Sequence, residues 1–465
     1  MGDLLNDGLW RRSTKTAMPA KRPALSQGPH TPGKAEELVG VESYSYLEWP
    51  AHPLRTNSCR MKNTGLASAI VTAFAVPAAL CFAVPAWAQP AVQARPASMP
   101  ASGATTPQAV VAHYAVLVHA NYDDARQGAV ALQKAIDTFA AAPSEAGLLA
   151  ARKAWLQARE AYGQTEAFRF YGGPIDNDDG PEGRINAWPM DESYVDYVAD
   201  APTAGIVNDR KVAITRKALA ALNERDGEEN VATGWHAIEF LLWGQDLSET
   251  GPGNRSFEDF VDGKRPNADR RRQYLKVVTS LLVDDLGTLV KAWAPKQANY
   301  GAKFARGGNE SLRKMLVGLG SLSRGELAGE RLEVALASQD QEDEHSCFSD
   351  NTHRDAVTNA MGIQNVWLGR YVRTDGRVVE GPSLQALVAA RNPQLAQRTT
   401  AQVAASVAAT EGIQAPFDRE IVGAKDAPGR LRVQKAVDSL TQQSKDLVEA
   451  AGAIGITRLT LVNPE

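Results

Sequence analysis

The residues of this chain best placed to do chemistry are His236 and Glu239, a histidine and a glutamate three positions apart. They lie in an apolar stretch, residues 234–246, that contains no proline. The sequence therefore predicts a helix that carries both side chains on one face. Charged groups are rarely buried unless they are paired or ligated. Imidazole beside carboxylate indicates a metal-ligand pair, a proton-transfer pair or a structural hydrogen-bonded pair.

A second stretch, residues 342–355, contains the reverse spacing, with Glu342 and His345 three apart and His353 eight residues later. Twelve of its fourteen residues are polar, so the sequence predicts that this stretch is not a core segment. Carboxylate–histidine pairs at this spacing on facing helices are how helical bundles hold metals. Mixed nitrogen and oxygen ligands suit iron, zinc, manganese or copper. The zinc-peptidase motif H-E-x-x-H is absent from the sequence.

A third pattern mixes aromatic and charged residues on one predicted helix. Trp155, Arg159, Tyr162, Glu166 and Arg169 follow one another at spacings of four, three, four and three, which is one continuous helical stripe. The stripe is either a solvated helix face held by ion pairs or the lining of a polar cleft.

Most of the chain after residue 105 shows helical periodicity, and these elements must position the polar residues. The first half lacks the alternation of Val, Ile and Thr that would indicate a sheet. The Asp-Gly pair at residues 375–376 predicts one small β-hairpin, and a capping box at Ser323 and Glu326 predicts the start of a helix. The fold class is therefore all-α, with two packed helical bundles. The predicted helices span residues 107–141, 145–169, 208–223, 234–246, 269–293, 312–319, 323–343, 383–391, 395–411 and 427–451.

The sequence predicts that the first 104 residues are not part of a folded core. Residues 1–60 have no sustained period and are predicted to be a non-native or disordered upstream extension. Residues 61–88 begin at Met61, continue with Lys62 and an apolar run, and end in Ala86-Trp87-Ala88, which is the pattern of a signal peptide. Residues 89–104 are predicted to be a flexible linker. The sequence thus predicts secretion to the periplasm or cell envelope, with no transmembrane span in the mature chain.

The charge balance excludes some partners. The chain has 50 basic and 54 acidic residues, of which residues 1–88 carry 9 and 6, so the mature chain has 41 and 48 and a net charge of −7. Such a surface argues against nucleic acid and anionic lipid as partners. Cys347 is the single cysteine after residue 88, so we expect no internal disulfide and a packed thiol.

These motifs resemble those of the imelysin family, which includes imelysin peptidases and bacterial iron-regulated proteins of the cell envelope. The resemblance rests on G-x-H-x-x-E at residues 234–239 and on the run at residues 343–353, and it covers about residues 105–455. It implies two helical bundles, at residues 105–297 and 298–465, that face each other across a groove near the motifs. The residues expected at the groove are Arg159, Arg169, Asp343, Ser349, Asp350, Asn351, His353 and Arg354.

Three functions follow from the residues and the resemblance together. The first is a binding component of iron acquisition, in which Glu166, His236, Glu239 and His345 ligate or orient iron or an iron complex and Arg169 neutralises an anionic chelator. The second is a zinc metallopeptidase in which Glu239 is the catalytic residue. The third is an envelope scaffold that binds a protein partner in the groove.

Overall fold

The computed structural model describes residues 105–461, which belong to one compact unit. The upstream extension, signal peptide and linker predicted at residues 1–60, 61–88 and 89–104 lie outside the described residues. The α-helices are α1 (Pro107–Ala141), α2 (Glu145–Tyr162), α3 (Glu182–Ile185), α4 (Glu192–Val195), α5 (Arg216–Leu222), α6 (Gly234–Trp243), α7 (Ala268–Trp293), α8 (Tyr300–Phe304), α9 (Gly308–Ser321), α10 (Val334–Ser338), α11 (Thr352–Leu368), α12 (Leu384–Ala389), α13 (Pro393–Glu411), α14 (Asp418–Ile421) and α15 (Pro428–Ala453).

The all-α prediction is confirmed, and the first part of the fold is built on α1. This helix begins where the hydroxyl of Thr106 accepts a hydrogen bond from the backbone N–H of Ala109 at 3.2 Å, with Pro107 in the first turn. Its apolar face packs against α2 and α7, and α6 packs against the same two helices. Among the described residues, no helix is both long and apolar enough to cross a membrane.

The second part of the fold is built on α11, α13 and α15. Helix α15 packs against α13 and α9, while α11 packs against α13 and against a 3-10 helix, Gly163–Phe168, that continues directly from α2. Because α11 packs against elements from both the first and the second part of the fold, it holds the polar segment that precedes it against the end of α2.

One predicted helix start is wrong. Helix α9, a π-helix at Leu322–Glu333 and α10 follow one another without a break. Ser323, which the sequence assigns to a capping box, lies inside this run and its hydroxyl donates to the backbone carbonyl of Leu440 at 2.7 Å. A tertiary contact with α15 therefore overrides the local capping signal. π-Helices are rare and often occur at functional sites.

The predicted hairpin is confirmed, and two predicted helices are shorter than expected. Strands β1 (Arg370–Val372) and β2 (Val378–Glu380) pair antiparallel, with Tyr371 opposite Val379. The helix predicted at residues 208–223 is reduced to α5, because Thr215 caps it by accepting from the N–H of Ala218 at 3.2 Å. The helix predicted at residues 145–169 is α2 followed by the 3-10 helix.

Candidate functional site

Helix α6 is positioned by its first residue. Gly234 has a φ of +86°, and a Cβ there would lie 2.4 Å from the carbonyl oxygen of Ile185, so only glycine fits. All ten residues of α6 are buried. His236 and Glu239 lie on one face, as the spacing predicts, with His236 Nδ1 2.9 Å from Glu239 Oε2.

Both oxygens of the Glu239 carboxyl group are engaged. Oε1 accepts hydrogen bonds from the backbone N–H and the hydroxyl of Ser349, at 2.9 and 2.6 Å. Burial raises the pKa of Glu239 to about 8 against the opposing effect of these bonds. Burial, together with the nearby charge of Arg159, lowers the pKa of His236 to about 3, so the imidazole is uncharged at neutral pH. Its Nε2 atom is buried and has no hydrogen-bond partner among residues 105–461.

The prediction that the second polar stretch lies outside the core is wrong. Residues 344–352 are all buried. Polar side chains can be buried when they hydrogen-bond one another, and this segment does so around Asp355. That carboxylate accepts from Ser346, Arg159 and Asn351.

Asp355 also orients the second histidine of the site. His345 Nδ1 lies 2.8 Å from Asp355 Oδ2, and Arg159 forms an ion pair with the same carboxylate at 2.9 Å. Although burial opposes it, Arg159 and His345 hold the pKa of Asp355 well below its usual range. Asp355 is therefore ionised and accepts a hydrogen bond from Nδ1–H of His345. Asn186 lies on the other side of the ring, with its Nδ2 3.4 Å from Nε2.

The structure brings the two polar stretches together, but the prediction of facing helices is wrong for the second. His345 lies in turns before α11 rather than on a helix, and its carboxyl partner is Asp355 instead of Glu342. The imidazole rings of His236 and His345 lie 4.8 Å apart between centroids, at an angle of 71°. Burial and the charge of Arg331 lower the pKa of His345 well below its usual value, so both rings are neutral. Each has its Nδ1 atom held by a buried carboxyl group.

The aromatic and charged stripe is buried, so the interpretation as a solvated face is wrong. Trp155, Arg159, Tyr162 and Glu166 are each at most 2% exposed. The Arg159 guanidinium lies over the rings of Trp155, Tyr162 and Trp235, at 5.3–5.7 Å from their centroids. The stripe therefore contributes its charges to the polar interior rather than to the surface.

Glu166, predicted as a metal ligand, lies in a network of arginines. Its Oε2 contacts Arg169 Nη1 at 2.7 Å and Arg331 Nη2 at 2.8 Å, while Oε1 is buried and no described residue forms a hydrogen bond with it. Burial alone would raise its pKa, but the two arginines bring the pKa to about 2. Glu326 also accepts from Arg331. We did not predict from the sequence that Arg331 and Glu326 belong to this network. The arginine lies among the leucines of a predicted helix, which was a signal that could have indicated it.

Two cavities of very different size adjoin these residues. One of about 10 Å³ lies beside His236 and His345, which is room for one water or bare ion. The other, of about 490 Å³, is lined by five of the predicted groove residues: Ser349, Asp350, Asn351, His353 and Arg354. Of the remaining groove residues, Arg159 and Arg169 belong to the buried arginine network, and Asp343 is half-buried at the end of a 3-10 helix.

The predicted metal ligands are neighbours, but within residues 105–461 they do not form a group of three whose donor atoms all lie within 4.8 Å. The group that meets this distance is Asp246, Asp350 and Asp418. The sequence did not indicate this group, because its members are far apart in the chain. Cys347 is buried, and burial raises the pKa of its thiol well above the usual value, in agreement with a packed rather than reactive cysteine.

Comparison with known proteins gives a consistent result. The family model described as imelysin matches residues 118–447. Iron-regulated protein A of Synechococcus elongatus is 28% identical over 343 residues, which cover 71% of this chain and 83% of that protein.

Two solved structures share the fold. One is described as an iron-regulated protein A precursor from Parabacteroides distasonis, with a TM-score of 0.59, 19% identity, and coverage of 77% of this chain and 97% of that one. The other is an imelysin-like protein from Psychrobacter arcticum, with a TM-score of 0.55, 16% identity, and coverage of 77% and 98%.

Proposed function

The chain belongs to the imelysin family, and from this premise we propose that it is a metal-binding component of bacterial iron acquisition in the cell envelope. Its cargo is iron, held at the buried pair His236 and His345. The relative named iron-regulated protein A supports an iron-related role.

The observation that carries the proposal is the orientation of the two imidazoles. A carboxyl group on Nδ1 of a metal-ligating histidine fixes its tautomer and turns Nε2 toward the metal. Glu239 and Asp355 occupy those positions, at 2.9 Å from His236 and 2.8 Å from His345. The Nε2 atom of His236 is buried and has no hydrogen-bond partner in the described part of the chain, which is costly unless a ligand uses it. The residues present therefore fit a metal ion.

The size of the adjoining space favours an ion over a larger ligand. The cavity beside the two histidines measures about 10 Å³, so a peptide or an organic chelator does not fit there. Two neutral imidazoles suit iron or zinc, and affinity alone does not choose between them. A chelated form of iron would instead occupy the 490 Å³ cavity, whose wall includes Arg354 and His353.

The proposed location follows from the N-terminal sequence. A signal peptide at residues 61–88 would deliver the chain to the periplasm, and residues 89–104 would link the leader to the folded part. The description of one structural relative as a precursor agrees with a processed, exported chain.

The test is metal content and affinity of protein purified without an affinity metal. We expect near-stoichiometric iron after loading, its loss in His236→Gln and His345→Gln, and an affinity about 10–100-fold weaker in Glu239→Gln, where only the orienting group changes. His119→Gln, a half-buried histidine on α1, is the matched control. Iron content that is equal in all four variants and the native protein would overturn the proposal.

The metallopeptidase is the weaker alternative. Its general base would be Glu239, but both oxygens of that carboxyl group are engaged by His236 and Ser349. Chelator-sensitive cleavage of a denatured protein, lost in Glu239→Gln, would favour the peptidase. Unchanged metal content in all variants, with a protein ligand captured in the 490 Å³ cavity, would favour the scaffold.

A further inference from the structure

A second group of buried polar side chains contains neither histidine and is made of carboxyl groups alone. Asp246 follows α6, Asp350 lies in the polar segment before α11, and Asp418 is the first residue of α14. One oxygen from each lies within 4.8 Å of one oxygen from each of the others. All three side chains are more than nine-tenths buried.

A fourth carboxyl group, Glu344, points into this group from a different position. It is 2% exposed, and within residues 105–461 no donor meets either of its oxygens at hydrogen-bonding distance and angle. Its carboxyl group lies against those of Asp418 and Asp350 and near the side chain of Thr352, and it also lines the 10 Å³ cavity beside the two histidines. A glutamate buried among other carboxyl groups is an observation separate from the closeness of the three aspartates.

The protein leaves most of these oxygens without donors. Asp246 Oδ1 accepts from the N–H of Ser248 at 2.9 Å. In the part of the chain that the structure describes, six oxygens have no partner at hydrogen-bonding distance and angle: Asp246 Oδ2, Asp350 Oδ1, both oxygens of Asp418 and both of Glu344. Unsatisfied buried acceptors are rare in folded proteins and are expensive to maintain.

Bringing these groups together without a counter-ion is also unfavourable electrostatically. Burial, followed by the neighbouring charges of Asp418 and Asp246, raises the pKa of Asp350 to about 8. Burial raises the pKa of Asp246 to about 6. Without a cation, the group must therefore take up protons near neutral pH.

We propose that Asp246, Glu344, Asp350 and Asp418 form a calcium site whose ligands are other than the two histidines. Ca²⁺ takes six to eight oxygen ligands and tolerates irregular geometry, whereas Mg²⁺ keeps several waters and is rarely held in an all-protein cage. The set contains no nitrogen or sulfur donor, and therefore does not select zinc or copper.

The site has access to solvent and holds distant segments together. Asp350 lies in the wall of the 490 Å³ cavity, and Asp246 lies in the wall of another of about 400 Å³. The 490 Å³ cavity is also lined by residues 250–252 and 415–416, which neighbour Asp246 and Asp418 in the chain. A bound cation would therefore fix two segments of the groove wall, and groove binding would depend on calcium.

The experiment is thermal unfolding of protein stripped with EDTA and titrated with CaCl₂ at pH 7. Ligands that bind the native state raise the melting temperature, and we expect a saturable rise with a dissociation constant of about 10⁻⁵ to 10⁻³ M. Asp418→Asn keeps the size of the side chain and removes one carboxyl group from the cluster. We expect this variant to bind calcium at least about tenfold more weakly, since ligand charge sets calcium affinity. In EDTA it should melt at a higher temperature than the native protein, because one of the mutually repelling carboxyl groups is gone.

The controls separate this site from a general charge effect and from the histidine pair. Asp426→Asn removes one exposed charge eight residues further on and should leave the calcium response unchanged. His236→Gln should also keep it, even if it loses iron. Asp350→Asn is the second variant if Asp418→Asn does not fold.

Either of two results would overturn the inference. The first is a melting temperature unaffected by calcium together with a lower stability of Asp418→Asn in EDTA, which would show that protons hold the group together. The second is a rise in melting temperature that occurs at lower concentrations of ferric citrate or Mn²⁺ than of Ca²⁺ and is lost in Asp418→Asn. That result would assign the site to another cation.

Discussion

At the scale of single residues, the carboxyl groups of the site differ in what surrounds them. Asp355 meets Arg159, which keeps it ionised, whereas Glu239 meets only neutral donors and the imidazole of His236. The two histidine–carboxyl pairs therefore look alike in geometry, but their carboxyl groups differ in charge. The pair His345–Asp355 carries a fixed negative charge balanced by arginine, while the proton of Glu239 is available for displacement when a cation binds.

Buried aspartate–arginine pairs recur elsewhere in the molecule, and Asp196 offers a test without interference from the site. Its carboxylate contacts Arg255 at 2.8 Å and Arg271 at 2.5 Å. Burial opposes ionisation, but Arg255 and Arg271 lower the pKa of Asp196. We expect Asp196→Asn to lower the free energy of unfolding by about 3–5 kcal/mol at pH 7, because two buried arginines lose their partner.

The pH dependence of this loss has a definite sign. A carboxyl group whose pKa is lowered by folding stabilises the protein at pH values above its unfolded-state pKa of about 3.9. This stabilisation is lost as the pH falls through the folded-state pKa. Denaturant titrations at pH 7, 5 and 3 measure the difference in free energy of unfolding between Asp196→Asn and the native protein. We expect this difference to be constant down to about pH 4 and smaller at lower pH. The exposed pair Arg216–Asp284 provides the control, since Asp284→Asn should cost no more than about 1 kcal/mol. Equal losses in both variants would contradict this account.

At the scale of elements, the geometry of the site depends on where α6 begins. Gly234→Ala should lower the free energy of unfolding by more than about 2 kcal/mol, because a side chain at φ +86° is strained and its Cβ would meet Ile185. Gly251→Ala is the matched control, since a Cβ there meets nothing within 4 Å. Chemical denaturation measures both, and a Gly234→Ala variant as stable as Gly251→Ala would show that α6 can shift to make room.

At the scale of the whole molecule, buried polar contacts join the first part of the chain to the second. Arg159 pairs with Asp355 at 2.9 Å, and Arg331 pairs with Glu166 at 2.8 Å. Ser349 also donates to Glu239. Breaking a buried ion pair costs about 3–5 kcal/mol, so neither part is expected to unfold while the other stays native. The division into bundles at residues 105–297 and 298–465 stays a prediction.

Calorimetry tests whether the two parts unfold together. We expect one transition whose calorimetric and van't Hoff enthalpies agree. Arg331→Met should lower the midpoint of the whole transition, because Glu166 and Glu326 lose a buried partner. Arg324→Met, which breaks a half-exposed pair with Glu333 in the same π-helix, should change it little. Two separate transitions would show that the bundles are independent domains.

The sequence by itself determined the local features of this protein. The helical period predicts the all-α fold, and the three-residue spacing of His236 and Glu239 is enough to put them on one face, because both depend only on near neighbours. The Asp-Gly pair likewise predicts the hairpin.

The tertiary structure alone decided how distant polar residues meet. Polar composition placed residues 342–355 outside the core, but a polar side chain is buried whenever its hydrogen bonds are made elsewhere in the fold. The partners of Asp355 and Glu239 come from distant segments, including Arg159 and Ser349. Asp246, Asp350 and Asp418 likewise converge from separate segments. Spacing in the chain cannot encode these contacts, because they depend on how whole helices pack rather than on any local period.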